Sequence, residues 1–143
     1  GVGSVVTHRG KVLLCRRAIE PRHGYWTVPA GYLELGETPE EGARREAREE
    51  ANADLELHGL LAVYTVRRLS QVQLIYRATL AGGSDADGVF SPGTESLETQ
   101  LFDWDAIPWD DLAFPTVHWM LGHQRAFEAG KGVGPFGNPV GAD

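Results

Sequence analysis

The sequence predicts an α+β fold, a mixed β-sheet packed between helices, and three observations carry that expectation. Apolar, β-rich runs recur at 2–8, 11–17, 60–66, 72–80 and 97–104. Two stretches, 39–51 and 116–129, carry helical patterning instead. The two kinds of element do not alternate as regular βαβ units, which sets a doubly wound parallel sheet aside. A chain of 143 residues suits one domain with its own core. We place that domain at 1–129 and expect the Gly/Pro-rich tail, 130–143, to be irregular or frayed.

Taken in order, the first two runs flank Arg9-Gly10, a plausible hairpin turn. Residues 18–24 read as loop, and "YWTVPAG" (25–31) as a short strand broken by Pro29 and Gly31. The first helix has a defined start: Thr38 fits the N-cap, Pro39 the first helical position, and Glu41 completes a capping box. Asn52 suits the left-handed turn that ends it. Ala43, Ala47 and Ala51 form a small-residue stripe that allows close approach to another layer. Glu40/Arg44 and Glu41/Arg45 have favourable i,i+4 spacing on the wet side. Residues 81–93 make a long glycine-rich loop of the kind that is often functional or mobile. There is no internal repeat and no heptad pattern.

Composition narrows the function. A net charge of −7 argues against general nucleic-acid binding, which needs basic surface. No run approaches the roughly 18 apolar residues of a membrane helix. The opening residues lack the charged, apolar and cleavage regions of a signal peptide. The single cysteine, Cys15, has no internal disulfide partner, which fits a reducing compartment and a cytoplasmic expectation. Any anionic substrate would have to be attracted by bound cations or local arginines, not by the global field.

The Glu-rich stretch "GETPEEGARREAREEANA" (36–53) is where chemistry concentrates. Glu46, Glu49 and Glu50 are three and four residues apart and share one helix face. Such clusters are most often plain solvated surface. The sharper reading is a hard-cation site, because Mg²⁺ prefers oxygen ligands and shares its shell with substrate phosphates.

The spacing from Gly31 through Glu37 to Arg45-Glu46 and Glu49-Glu50 resembles the Nudix box, the loop–helix–loop signature of the Nudix hydrolases. It departs from that pattern at Asn52, where glycine is usual, and at Ala47 and Ala53, where larger aliphatics are usual. "GKVLLCRRAIEPRHGYWTVPAGYLELGET" and "SPGTESLETQLFDWDAIPWDDLAFPT" extend the resemblance to the FAD/ADP-ribose pyrophosphatase branch, over most of residues 5–120. The zinc ribbon that often precedes the domain in that branch is not in this sequence. The resemblance implies the Nudix fold, an α/β/α sandwich, and hydrolysis of a nucleotide diphosphate by water with Mg²⁺ or Mn²⁺. It implies Glu46, Glu50 and the Ala30 carbonyl as metal ligands, Glu49 as a further ligand or the base, and Arg45 and Glu37 as residues that orient them. Homodimers are frequent among such relatives.

Outside the box the sequence offers further candidates. Glu98, ahead of Glu95, stands where many Nudix enzymes place a second catalytic acid. Arg16, Arg17, Arg22 and His23 could meet a phosphate or ribose. Trp26 and Tyr64 could stack on a base, although strand aromatics are more often core. His8 and Cys15 read as strand residues. ADP-ribose or FAD is the expected substrate. A mutator-type nucleoside triphosphate hydrolase is the alternative, and a non-catalytic nucleotide sensor stands behind both.

Overall fold

The computed structural model describes residues 1–83 and 87–142. It confirms the α+β expectation: one mixed sheet lies between two helices. Strands β1 (Val2–His8) and β2 (Lys11–Arg17) form the expected hairpin, with Arg9 and Gly10 both at positive φ in its turn. The stretch 25–31 is two short strands, not one. β3 (Trp26–Thr27) pairs with β2, and β4 (Ala30–Gly31) pairs with β1. Pro29 lacks the amide needed to continue a ladder, so the chain changes partner across it.

Helix α1 spans Pro39–Ala51 with the capping box of Thr38 and Glu41 in place, and Asn52 adopts the left-handed turn at φ 47° and ψ 37°. β5 (Leu55–Val66) begins five residues before the apolar run at 60–66. Its first half, where Leu55 and Leu57 alternate with Glu56 and His58, lies outside the apolar run, and β5 pairs with β6 (Gln71–Leu80) along its whole length. β7 (Ser96–Phe102) and helix α2 (Pro115–Glu128) follow, each within two residues of expectation. The long loop 81–93 includes residues 84–86, which lie outside the described residues.

The sheet runs β3-β2-β1-β6-β5, with β7 added beside β2 and β4 beside β1. β1 and β6 are parallel, and the other pairs are antiparallel. Alternation along β1 and β2 explains their unbroken apolar runs. Val5, Val12 and Leu14 face α2 with Val117, Met120 and Leu121, while Val6, Leu13 and Cys15 face α1 with Ala47 and Ala51. A strand covered on both faces has no polar side to show. Each such buried valine or leucine contributes about 1.5–3 kcal/mol.

The tail differs from expectation. It is irregular in conformation, but it is docked along the β5 edge. Phe136 donates its N–H to Leu61 O at 2.8 Å and accepts from Val63 N–H at 2.9 Å. Asn138 exchanges two hydrogen bonds with the Thr65 backbone, at 3.0 and 2.9 Å. Phe136 also stacks on His123 of α2, with centroids 4.5 Å apart. Among the described residues, no helix is long and apolar enough to cross a membrane.

Candidate active site

The acidic face of α1 meets the sheet at the start of β1. Pairing of Gly3 with Ala30 and Val2 with Gly31 places β4 under the helix. The alanine stripe, fully buried at Ala47 and Ala51, lets the helix lie close. That proximity has two consequences. The Ala30 N–H donates to Glu50 Oε2 at 2.8 Å, and the Glu46 carboxylate rests on Gly31. A Cβ on residue 31 would come within 2.5 Å of that carboxylate, so any larger residue there would displace Glu46.

Arg45 organises the next layer. Its Nε and Nη2 donate to the two oxygens of Glu37 at 2.6 and 3.0 Å, a bidentate pair. Its Nη1 reaches Glu46 at 2.8 Å and Glu49 at 3.1 Å, and Nη2 also donates to the Tyr32 carbonyl at 2.8 Å. The Glu41/Arg45 pair expected from spacing is not the one formed. Glu41 is committed to the capping box, and the guanidinium finds four carboxylates on its other side, Glu34 included. Glu40 remains on the exposed side, where it accepts from the Tyr76 hydroxyl at 3.0 Å.

The electrostatics separate these acids. Hydrogen bonds from Arg45 hold Glu37 below the usual carboxylate range. Burial pushes Glu46 up, with Arg45 opposing and Glu49 and Glu95 adding to the rise. Glu50 is pushed up to about 8, chiefly by burial. The Ala30 amide and the charge of Arg17 oppose that rise, while Glu46 and Glu95 add to it. Glu46 and Glu50 are therefore short of positive charge. Among the described residues no three acids yet close on one point, since Glu46 and Glu49 turn to Arg45 and Glu50 to the Ala30 amide. The donors are all oxygen, and burial disfavours the charged form of two of them. That chemistry fits a hard divalent metal.

The structure brings Ala30, Gly31, Glu37, Arg45, Glu46, Glu49 and Glu50 together, and it separates the candidates outside the box. The Glu98 carboxylate pairs with Arg16 at 3.1 Å, opposite it in the β2–β7 register. Glu95 acts electrostatically on Glu46 and Glu50, and it lines one cavity with Glu49. Glu98 thus has a partner in Arg16 on the neighbouring strand, whereas Glu95 lies beside the box acids. Arg17 is near enough to Glu50 to depress it, and its guanidinium lies 5.2 Å from the centre of the Phe114 ring. Arg22 covers the Tyr25 ring at 3.7 Å and donates to Ala113 O at 2.9 Å, which ties down its own loop.

Base stacking by Trp26 and Tyr64 does not fit. Trp26 meets Phe102 edge-on inside the core, and Tyr64 is fully buried with its hydroxyl 2.6 Å from His123 Nδ1. His8 and Cys15 are buried strand residues, as read. The sequence reading missed the contacts of Asn52, whose side chain reaches Ser91 and Pro92. The signal for them was Asn in a place where the box has Gly.

Comparison with known proteins agrees with this geometry. A Nudix hydrolase of Nitrosomonas europaea superposes with a TM-score of 0.85 at 43% identity, covering 95% of this chain and 75% of that one. The ADP-ribose pyrophosphatase of Methanocaldococcus jannaschii is 29% identical over 117 residues, which are 79% of this chain and 65% of the relative. The human 8-oxo-dGDP phosphatase NUDT18 is 37% identical over 118 residues, 79% of this chain and 34% of the relative. The chain thus spans about a third to two thirds of the length of the curated relatives it matches. The NUDIX domain family model matches residues 1–121. With the box residues gathered at one end of a sheet between two helices, the chain belongs to the Nudix hydrolase family.

Proposed function

We propose that this protein hydrolyses the diphosphate linkage of a nucleoside diphosphate derivative, such as ADP-ribose or FAD, with Mg²⁺ or Mn²⁺. The observation that carries the reading is geometric: buried Glu46 rests on Gly31 and half-buried Glu50 accepts from the Ala30 amide, with Glu49 on the same helix face. Glu46, Glu49, Glu50 and the Ala30 carbonyl would hold the metal. When bound, it neutralises the diphosphate and makes a water more nucleophilic.

The chain's own residues do the rest. Arg45, locked to Glu37, fixes where Glu46 and Glu49 point. Arg17, on the Phe114 side of Glu50, offers its guanidinium to a phosphate oxygen. Glu95, exposed beside Glu49, would take a proton from the attacking water. A bond forms from the water oxygen to one phosphorus and the bridging P–O bond breaks. The leaving phosphate carries away the bridging oxygen, and two phosphate products result.

The substrate choice is supported by the resemblance outside the box and by the relative named an ADP-ribose pyrophosphatase. A second reading, a damaged-nucleotide hydrolase of the mutator type, draws on the relative named an 8-oxo-dGDP phosphatase. The box addresses the diphosphate and not the flanking groups, so it is neutral between them. A side-by-side kinetic panel of ADP-ribose, FAD, NADH, 8-oxo-dGDP and nucleoside triphosphates, with Mg²⁺ and Mn²⁺, tests the choice. We expect kcat/KM to be highest for ADP-ribose or FAD. A preference for 8-oxo-dGDP or any triphosphate would overturn the substrate assignment, and activity in excess EDTA would overturn the metal.

A further inference from the structure

We propose that Asn52 is a positioning residue for the acidic site: its side-chain amide ties Ser91–Pro92 to the end of α1 and so sets the place of Glu95. The inference rests on the reading of Glu46, Glu49 and Glu50 as metal ligands.

The last carbonyls of a helix lack partners within it. Here the end of the long loop and the first residue of β7 supply them. Ser91 N–H donates to Ala51 O at 2.9 Å, and Glu50 O accepts from Gly93 N–H at 3.1 Å and from Ser96 Oγ at 2.8 Å. The contact is close enough that a Cβ on residue 93 would fall 1.7 Å from Glu49 O, so only glycine can be seated there. Asn52 Nδ2 then reaches Ser91 Oγ at 3.0 Å, Ser91 O at 3.2 Å and Pro92 O at 3.3 Å.

The helix does not need this side chain in order to end. Its turn is closed by backbone bonds, from Asn52 N–H to Arg48 O at 3.0 Å and from Ala53 N–H to Ala47 O at 3.3 Å. Glycine would adopt the same left-handed conformation at least as readily. What glycine cannot do is add side-chain bonds to Ser91 and Pro92 beyond the backbone bonds already there. The amide therefore acts on that segment, not on the helix.

The segment leads directly to Glu95. Ser96 N–H donates to Gly93 O at 3.1 Å, and Ala18 N–H donates to Glu95 O at 2.9 Å. The Glu95 backbone is thus fixed on both sides, with its carboxylate free to act. Glu49, Asn52, Pro92, Gly93 and Glu95 line one cavity of about 350 Å³. The residue that replaces the family's glycine touches the same hollow as two of the acids.

The test is Asn52→Gly, which retains the turn and deletes the tether. Titration calorimetry of Mn²⁺ into the protein without substrate should show binding within about twofold of the parent's, because Glu95 is a proton acceptor and not one of the ligands. With ADP-ribose, kcat should fall by about tenfold and KM should stay within about twofold. Hydrogen exchange at Ser91 and Gly93 should quicken, while helix content and Tm stay close to the parent's. Glu50→Gln is the reference. If it weakens Mn²⁺ binding and Asn52→Gly leaves kcat and the exchange at Ser91 and Gly93 within twofold, the proposal is overturned and the metal reading stands. If Glu50→Gln also leaves Mn²⁺ binding unchanged, the metal reading has failed and this inference falls with it.

Discussion

Helices α1 and α2 cover opposite faces of the same sheet, and they do so with different materials. α2 buries Val117, Met120 and Leu121, large side chains that keep its axis away from the strands. α1 buries Gly42, Ala43, Ala47 and Ala51, which contribute little apolar area and let the helix lie close. The difference separates two tasks. α2 supplies cohesion, whereas α1 gives up cohesion for nearness, and nearness is what puts Glu50 within hydrogen-bonding distance of the Ala30 amide. The acids then sit where the protein itself leaves them short of positive charge.

That division can be broken from either side. The largest effect belongs to Glu50→Gln, which keeps shape and the Ala30 contact but loses charge. We expect kcat to fall on the order of 100-fold or more with Tm unchanged or raised. A variant with parental kcat would remove Glu50 from the site. Leu121→Ala should do the converse, lowering stability in urea by about 2–5 kcal/mol while each folded molecule keeps its kcat. Loss of kcat at full folding would show that α2 also serves the chemistry.

Ala47→Leu tests nearness directly. Forcing a larger side chain beneath α1 should cost about 1–3 kcal/mol and also depress kcat, because the acids move away from β4. Lost stability with unchanged kcat would refute the role given to close approach.

The pH dependence follows from Glu50. Its folded value, about 8, lies above that of an exposed carboxyl, so the neutral acid is the form the fold favours. The associated stability is complete below the unfolded value, about 4.5, and is lost as pH rises through about 8. Glu46 shifts the same way, whereas Glu37 shifts the opposite way and acts only in acid. In EDTA, Tm should therefore decline between about pH 5 and 8, less so in Glu50→Gln, and added Mg²⁺ should restore more at the upper end. A flat metal-free profile would contradict the burial of that charge. The smallest effect is Glu40→Gln, on the exposed side of α1, where kcat should stay within about twofold. If it matched Glu50→Gln, the division of the helix into two faces would be wrong.

Much of α1 was legible because its determinants are local. Thr38, Pro39 and Glu41 fix its start, Asn52 its end, and the alanines its buried stripe, all within a few residues of one another. The box spacing carried the acids for the same reason. What escaped depends on distant segments. Glu98 and Glu95 differ by three positions, but only the course of β7 shows that the first is paired with Arg16. Arg45 had a well-spaced partner in Glu41 and chose Glu37, because the loop folds back over the helix. The first half of β5, Leu-Glu-Leu-His, does alternate apolar and polar residues, but it is short and stops at Gly59, and pairing with β6 carries the strand across that glycine.

The docked tail has a practical consequence. A boundary drawn at residue 129, where composition changes, would strip Phe136 and Asn138 from the backbone of Leu61, Val63 and Thr65. Those groups belong to the outermost strand of the sheet, and bare strand edges recruit other strands. A trimmed protein should thus show itself first by self-association at high concentration, with its acidic site untouched. Anyone shortening this chain for crystals or fusion should therefore cut beyond Asn138, even though the residues in between form no helix or named strand.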